Sequence, residues 1–407
     1  RVLPNQKTIR MHYANCASFN ADFDGDEINL HFPQSEMARA EVANLSLSSI
    51  HYVTPTAGAP IRGMIQDHID SAVLISLNNR FFTLDRYQEL VFTAFGGSTT
   101  KKLKWLHPAI VYPKQFWTGK QLISTLILNL IDGKPCPTVT SKSKFTPTVL
   151  HPFTEETDVL IMDGQLMTGI LDKNQFGASS YGLVHSIYEL YGSAITQDFL
   201  TMLSRLFTFF MQTHGLTCGI ADMITTRRSE HFRRHSIKDA QKVTDGVISK
   251  FLAEFGTGQG TPEDQMYKLL RDPQMKKRFD NMMKAAVQDI SSSINSKIFP
   301  MGLYKPFPLN NLMLMCLSGA KGSSVNLSQI SCLLGQQELE GKRVPLMSSG
   351  KTLPSFDFMD LSPEACGYVT GRFLTGLTPQ QYYFHCMAGR EGLTDTAVKT
   401  ASTGYLQ

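Results

Sequence analysis

The chain has 407 residues, of which 42% are hydrophobic and 18% charged, and its 39 basic and 35 acidic residues leave a net charge of only +4. That apolar content can fill sizeable cores in roughly two to four domains, and it excludes a mainly disordered chain, a collagen-like chain and a coiled coil. A net charge this small argues neither for nor against nucleic acid, because a local patch matters more than the sum.

Residues 1–36 alternate apolar and polar in short bursts, which predicts strands around an acidic loop. A helix is expected at Ser35–Leu45, followed by turns at Thr54-Pro55 and Gly58–Pro60. Two polar stretches, Gly96–Lys104 and Gly133–Thr157, read as loops. The run Gln121–Ile131 is broken by Ser, Thr and Asn and falls well short of the 18 or so apolar residues that cross a bilayer, so no membrane contact is expected.

Helices dominate beyond about residue 180. Phe199, Leu203, Leu206 and Phe210 recur at helical spacing, with Gly215 as the stop. The basic cluster Arg227, Arg228, Arg233 and Arg234 opens a charged helix and reads as a solvated face. A glycine-rich break at 255–260 ends that helix, and Thr261-Pro262-Glu263-Asp264 restarts one with an N-cap, Pro at N1 and acids in the first turn. Two long polar helices joined by a glycine loop predict a helical hairpin.

Thr378-Pro379-Gln380-Gln381 is a capping box with Pro at N1. A helix from there to Gln407 would be on the order of 45 Å long. It would contain Gly389, Gly392 and Gly404, so it must pack very closely against something, bend, or break into two helices at 389–392. Tyr382 and Tyr383 read as core packing. The seven scattered cysteines contain no CxxC pair and read as reduced thiols of the cytosol or nucleus, not as staples or a zinc site. Because the chain starts at Arg1 and ends inside a helical pattern, it is expected to be a piece of a longer one. The elements together give an α+β fold.

The chemistry is concentrated at Asn20-Ala21-Asp22-Phe23-Asp24-Gly25-Asp26-Glu27. Four carboxylates this close repel one another unless a cation neutralises them. Alternating acids around a glycine suit a tight turn pointing Asp22, Asp24 and Asp26 inward, and their oxygen donors favour Mg²⁺ first, then Ca²⁺ or Mn²⁺. An EF-hand starting at Asp22 fails, because Glu27 and Pro33 stand where Gly and Glu are required. A solvated acidic turn without metal is the alternative, although the flanking Phe19, Phe23, Ile28 and Leu30 are expected to anchor the loop in a core. Mg²⁺ on three carboxylates suits phosphoryl or nucleotidyl transfer. Gly319-Ala320-Lys321-Gly322-Ser323 has the wrong order for a phosphate loop and reads as a turn.

NADFDGDE at 20–27 resembles the signature of the largest subunit of multisubunit DNA-dependent RNA polymerases. HFPQSEMARAE (31–41), PIRGMIQDH (60–68), SGAKGSSVNLSQISCLLGQQELEGKR (318–343) and GLTPQQYYFHCMAGREGLTDTAVKTASTGYLQ (376–407) resemble the same family, in its order and over almost the whole chain. HFPQ, DGQLMTGILDKNQFGASSYGLVHSIYELYG (163–192) and SGKTLPSF (349–356) look closest to RNA polymerase I, the ribosomal RNA enzyme of the nucleolus. The resemblance implies the end of a double-psi β-barrel over 1–36 and a mixed pore domain over 37–200. It also implies a largely helical funnel with the hairpin over 201–355, and the start of the cleft with a long bridge helix over 356–407.

Carried over residue by residue, Asp22, Asp24 and Asp26 would hold the catalytic Mg²⁺ at the RNA 3′ end. A second Mg²⁺ would arrive with the nucleotide. Asn20 would contact the ribose hydroxyls of the incoming nucleotide, as an amide that donates and accepts can. Thr396, Ala397, Lys399, Thr400 and Ala401 of the bridge helix would face the template base and the nascent pair. The implied partners are the second-largest subunit and other polymerase subunits, template DNA, nascent RNA, NTPs, and cleavage or elongation factors at the funnel. Two rival readings are a two-barrel RNA-dependent RNA polymerase, which lacks a comparable GREGLTDTAVKT sequence, and an interaction scaffold docking such factors.

Overall fold

The computed structural model describes residues 3–23, 25–96, 102–256 and 260–406. In chain order the elements are a 3₁₀ turn Tyr13–Asn15, α1 (Cys16–Phe19), α2 (Glu36–Leu45), α3 (Asp67–Ser76), β1 (Phe81–Phe82), α4 (Leu84–Phe95), β2 (Trp117–Thr118), α5 (Gly119–Leu130) and β3 (Val139–Lys142). Then come α6 (Pro147–Leu150), β4 (Asp158–Met162), β5 (Gln165–Thr168), α7 (Lys173–Phe176), α8 (Leu183–Tyr191), α9 (Ser193–His214), α10 (Arg227–Phe255), α11 (Pro262–Arg271) and α12 (Pro273–Ile298). The remainder is α13 (Asn311–Ser318), α14 (Ser324–Ser331), β6 (Gly335–Gln336), β7 (Glu338–Leu339), β8 (Lys342–Arg343), β9 (Tyr368–Val369), α15 (Pro379–Thr394), a π-helical stretch Asp395–Lys399 and α16 (Thr400–Leu406). The mixture is α+β, with mostly helix and small antiparallel sheets.

The chain divides into two compact units, 1–217 with 314–322, and 218–313 with 323–407. In the first unit α9 is the central element. Its Phe199, Leu203, Leu206 and Phe210 are fully buried at the helical spacing expected from sequence, with Phe207 buried beside them, and Gly215 ends it at φ 74°. It packs on α3, α4 and α8. The three-stranded sheet β3-β4-β5 pairs Val139 with Ile161 and Met162 with Gln165, around an Asp163-Gly164 turn with both φ positive, the geometry that favours Asp-Gly. The stretch 133–157, expected to be a loop, therefore contains β3 and α6. Its polar residues alternate, and in β3 they occupy an outer strand of that sheet.

Strands are not what residues 3–36 form. Among the described residues of this segment there is a 3₁₀ turn and the single turn α1, with α2 starting at Glu36, where Ser35 caps the Ala38 N–H. A strand satisfies its backbone only against a neighbouring strand, and none pairs here. The apolar residues expected to anchor the acidic loop are exposed instead: Phe19 58%, Phe23 57%, Ile28 43% and Leu30 82%.

In the second unit α10 and α12 pair as the predicted hairpin, with α11 inserted between them. Thr261 caps α11 through the Asp264 N–H, and Asp272 with Pro273 restarts α12. Phe251, Met266, Phe279 and Met283 form a core beside α11; a second cluster holds Ala240, Val287, Ile294, Leu333 and Tyr368. The expectation of a fully solvated arginine face is corrected here. Arg233 is buried, its guanidinium donating to Glu230, Cys332 O and Thr370 O, while Arg227, Arg228 and Arg234 stay exposed. Arg372, also buried, joins Glu230 at 2.9 Å and donates to Ser331 O. Burial alone would raise the Glu230 pKa, but the hydrogen bonds from Arg233 and Arg234 and the Arg372 charge overcome it and hold it at about 2.

From Pro379 to Leu406 the chain stays helical, with no break at 389–392. Thr378 and Gln381 form the reciprocal capping box. Beyond the adjacent residues and the helix's own backbone, no atom lies within 4 Å of a Cβ built on Gly389, Gly392 or Gly404, so close packing within this chain is not what these glycines serve. Only Phe384 of α15 is buried. Tyr382 and Tyr383, expected in a core, are 61% and 56% exposed, because the helix contacts its own unit along one narrow face. Among the described residues no helix is long and apolar enough to cross a membrane, and the cysteines form no disulfide.

Candidate functional site: an acidic turn and an exposed helix

The acidic loop grows out of α1. Asn20, at φ 47°, caps that helix in the left-handed conformation, with its N–H on Ala17 O and the Ala21 N–H on Cys16 O. An amide side chain tolerates this conformation better than most, so the backbone itself favours Asn at this position. The chain then closes on itself: the Asp22 N–H donates to Asp26 Oδ2 at 3.1 Å, across Gly25 at φ 129°. Phe23 meets Tyr13 edge-on at 5.2 Å. His12, just before, stacks on His68 of α3 at 6.2 Å, and His68 Nε2 lies 3.1 Å from Thr208 Oγ1 of α9. Burial, then the neighbouring His12, lowers the His68 pKa, so the His68 ring favours the neutral state.

Asn20, Asp22 and Asp26 are all exposed on this turn, whereas Asp24 lies outside the described residues. Among the described residues no three His, Cys, Asp or Glu side chains are grouped to hold a metal ion. The donor set of the loop is nevertheless all carboxylate oxygen, borne on a turn that already brings Asp22 and Asp26 together. That chemistry fits Mg²⁺.

The other predicted residues lie on the terminal helix. Thr396, Ala397 and Lys399 are exposed on the π-helical stretch, with Ala401 exposed at the start of α16; the Thr400 side chain is outside the described residues. Thr396 Oγ1 donates to Gly392 O at 2.9 Å, and Lys399 pairs with Asp395 at 2.6 Å. The π-turn begins three residues after Gly392, and the chain stays helical through it, so the expected break is absent. Gly319 and Gly322 both take positive φ in a turn, as read.

Sequence reasoning missed several polar groups that the fold buries. Asp70 on α3 is 1% exposed and accepts from Ser318 Oγ at 3.0 Å; burial pushes its pKa up to about 7. Asp172, fully buried, caps α7 through the Asn174 N–H, and burial pushes it to about 6. A lone Asp in the apolar run Ile69–Ile75 is a signal for the first, and an Asp directly before a helix start for the second. Glu391 accepts from the Glu340 N–H at 2.8 Å, a contact that no local pattern announces.

Four family models match in chain order: RNA polymerase Rpb1, domain 2 at residues 1–48, domain 3 at 51–223, domain 4 at 262–369 and domain 5 at 376–407. The chain is 48% identical over its full length to DNA-directed RNA polymerase I subunit rpa1 of Schizosaccharomyces pombe, covering 24% of that protein. It is 46% identical over its full length to the RNA polymerase I subunit RPA190 of Saccharomyces cerevisiae and, over 99% of its length, to rpa1 of Dictyostelium discoideum, covering 25% of each. It thus spans about a quarter of the relatives it matches. The acidic turn falls within the domain 2 match and the terminal helix within the domain 5 match, and the chain belongs to the family of RNA polymerase largest subunits, with RNA polymerase I subunits among its relatives.

Proposed function

We propose that this chain is the catalytic-centre segment of the largest subunit of a DNA-directed RNA polymerase, adding NTPs to an RNA 3′ end on a DNA template. The observation that carries the reading is the acidic turn of Asp22 and Asp26, inside a chain matched in order by four consecutive domains of that subunit. In this reading residues 1–36, which pair no strand within the described residues, would contribute the end of a double-psi barrel completed by other strands, 37–200 the pore, 201–355 the funnel with its hairpin, and 356–407 the start of the cleft with the bridge helix.

Asp22, Asp24 and Asp26 would hold the catalytic Mg²⁺, with a second ion arriving with the nucleotide. Bound there, Mg²⁺ would lower the pKa of the attacking 3′ hydroxyl and stabilise charge on the departing pyrophosphate. Asn20, its side chain exposed beside the turn, orients the ribose hydroxyls of the incoming nucleotide. Thr396, Ala397, Lys399, Thr400 and Ala401 present a small, mostly neutral surface to the template base and nascent pair, which lets a base pair slide past without a fixed hydrogen-bond partner. The identities of 46–48% to RNA polymerase I subunits favour ribosomal RNA synthesis in the nucleolus over RNA polymerase II or III. The second-largest subunit, further subunits and funnel-docking cleavage or elongation factors complete the site.

Primed RNA extension on a DNA template by the native complex, with Mg²⁺ present and then chelated, tests the reading. Metal-dependent extension that disappears in an Asp22/Asp24/Asp26 triple-Ala complex supports it. Extension that survives the triple substitution moves catalysis to another chain.

A further inference from the structure

The tight hairpin between β7 and β8 carries an unusual residue. Its two central positions, Glu340 and Gly341, have φ of 51° and 72°, the pattern of a type I′ turn. Gly suits such a position; Glu does not, and a side chain held there costs on the order of 1 kcal/mol. An outlier of this kind persists only where surrounding contacts impose it, and here they come from two sides. Lys284 of α12 donates from Nζ to Gly341 O at 3.0 Å and pairs with Glu338 at 2.9 Å. On the other side the Glu340 N–H donates to the Glu391 carboxylate of α15 at 2.8 Å.

Glu391 stands where the terminal helix changes its winding. The Asp395 N–H is shared between Glu391 O and Gly392 O, and the π-helical stretch Asp395–Lys399 starts at that residue. Glu391 thus supplies one of the last α-helical carbonyls and, through its side chain, the tether to the β-turn. Lys399 feels the same groups: its pKa is raised first by its hydrogen bond to Asp395 and, to a lesser degree, by the charges of Glu391 and Glu340.

We infer that Glu391 is a positioning residue: Lys284, the strained Glu340-Gly341 turn and the Glu391 carboxylate form a brace between α12 and the terminal helix that fixes where π-winding begins, and hence where Thr396–Ala401 stand. The inference rests on the proposed role of those residues at the template, but the brace itself can be read without catalysis. A backbone N–H on a carboxylate is a charge-assisted hydrogen bond, the stronger class, so its loss is large enough to measure.

The test uses the complete polymerase carrying Glu391→Ala, Glu391→Gln, Lys284→Met, or Glu391→Ala with Lys284→Met, with two readouts. Amide hydrogen exchange should speed up about tenfold at Glu340 and over 392–399 in Glu391→Ala. Single-nucleotide addition should show kcat lowered about three- to tenfold with KM for the NTP nearly unchanged, because the loss falls on alignment and not on nucleotide contacts. Glu391→Gln keeps an acceptor oxygen and should recover most of both; the double variant should lose no more than Glu391→Ala alone. Unchanged exchange at Glu340 overturns the brace, whatever the enzyme does. Faster exchange with wild-type kcat overturns the positioning role, and additive losses in the double variant remove Lys284 from it. Failure of the catalytic reading shows separately, as extension that survives the triple-aspartate substitution.

Discussion

The acidic turn and the terminal helix bear the candidate chemistry of this chain, and they are held in opposite ways. Around the turn, order among the described residues is local: the short helix α1, an Asp22–Asp26 hydrogen bond and an edge-on Tyr13–Phe23 contact, with large apolar side chains left in solvent. The terminal helix writes its own start, with Thr378 and Gln381 capping each other and Pro379 at N1, and runs from Pro379 to Leu406 with Phe384 as its one buried side chain among those described. A helix closes its backbone hydrogen bonds within the segment, so its existence needs only its own residues. A strand cannot, so a segment patterned for strands is only as ordered as the strands beside it.

The largest expected effect separates chemistry from scaffold. If Asp24 holds Mg²⁺ as proposed, Asp24→Ala in the native complex should lower RNA extension by on the order of 10³-fold or more, because a metal ligand acts on the transition state itself, while assembly of the subunits is retained. Chelating Mg²⁺ should do the same reversibly. A substitution on the helix, such as Lys399→Ala, should cost far less, because the ion pair that Lys399 makes with Asp395 lies at the surface. Equal losses from the two, measured as single-nucleotide addition rates, would erase the distinction between a chemical site and a surface that guides substrate.

The comparison also explains what could be read from sequence. The helix at Ser35–Leu45, the α9 stripe of Phe199, Leu203, Leu206 and Phe210, the Thr261 restart and the Thr378 box were all legible, because caps and periodicity lie within a few residues of what they determine. Asp22, Asp24 and Asp26 stood out for a similar reason, as like charges crowded into one loop. What sequence did not reveal was non-local. Arg233 looked like its solvated neighbours until Cys332, Thr370 and Arg372 closed over it, and Phe23 and Leu30 looked buried for want of any sign that no strand would pair with theirs. The Glu391–Glu340 contact joins residues 51 apart in the chain, and nothing in either neighbourhood requires it.

The roots of the two regions give the next effects in size. Below the terminal helix, Arg233 ties Thr370 O to Glu230, and Thr370 Oγ1 accepts from Gln381 Nε2 in the capping box. Glu230→Gln would leave two buried guanidiniums short of their counter-ion, a change that costs about 3–5 kcal/mol. Hydrogen exchange over 227–240 and 368–382 measures it. Because Glu230 sits at about 2, below its ordinary value of 4.5, its contribution is present above pH 4.5 and is lost as pH falls from there toward 2. The variant should lack that acid-side loss.

On the side of the acidic turn the sign reverses. Asp70, on the same helix α3 as His68, has its pKa raised to about 7 from 3.8. Between those values the folded state holds a proton that the unfolded state has released, so stability falls as pH rises from 3.8 to about 7 and then levels. Asp70→Asn keeps an acceptor for Ser318 Oγ and removes that slope, with a gain on the order of 2 kcal/mol at pH 8. Urea-dependent exchange of α3 amides at pH 5 and pH 8 should show the variant and wild type converging at the lower pH and parting at the higher. Convergence at both would mean that Asp70 is ionised in place.

The smallest effect is the sharpest, since one substitution is expected to act with opposite sign in the two regions. Gly25 sits at φ 129°, where any Cβ is strained although no neighbour crowds it, so Gly25→Ala should destabilise the acidic turn by about 1–3 kcal/mol. Gly404 lies in a helix with nothing within 4 Å of a built Cβ and no positive φ, so Gly404→Ala should stiffen α16 by about 0.5–1 kcal/mol. If the terminal helix must flex as RNA advances, that local gain should appear as slower elongation with single-turnover chemistry intact, read from pause-free run-off rates beside single-nucleotide addition. A stiffer helix that elongates at the wild-type rate would mean that bending there is not part of the cycle, and would leave the π-helical stretch at Asp395–Lys399 as a static feature of how Glu391 is held.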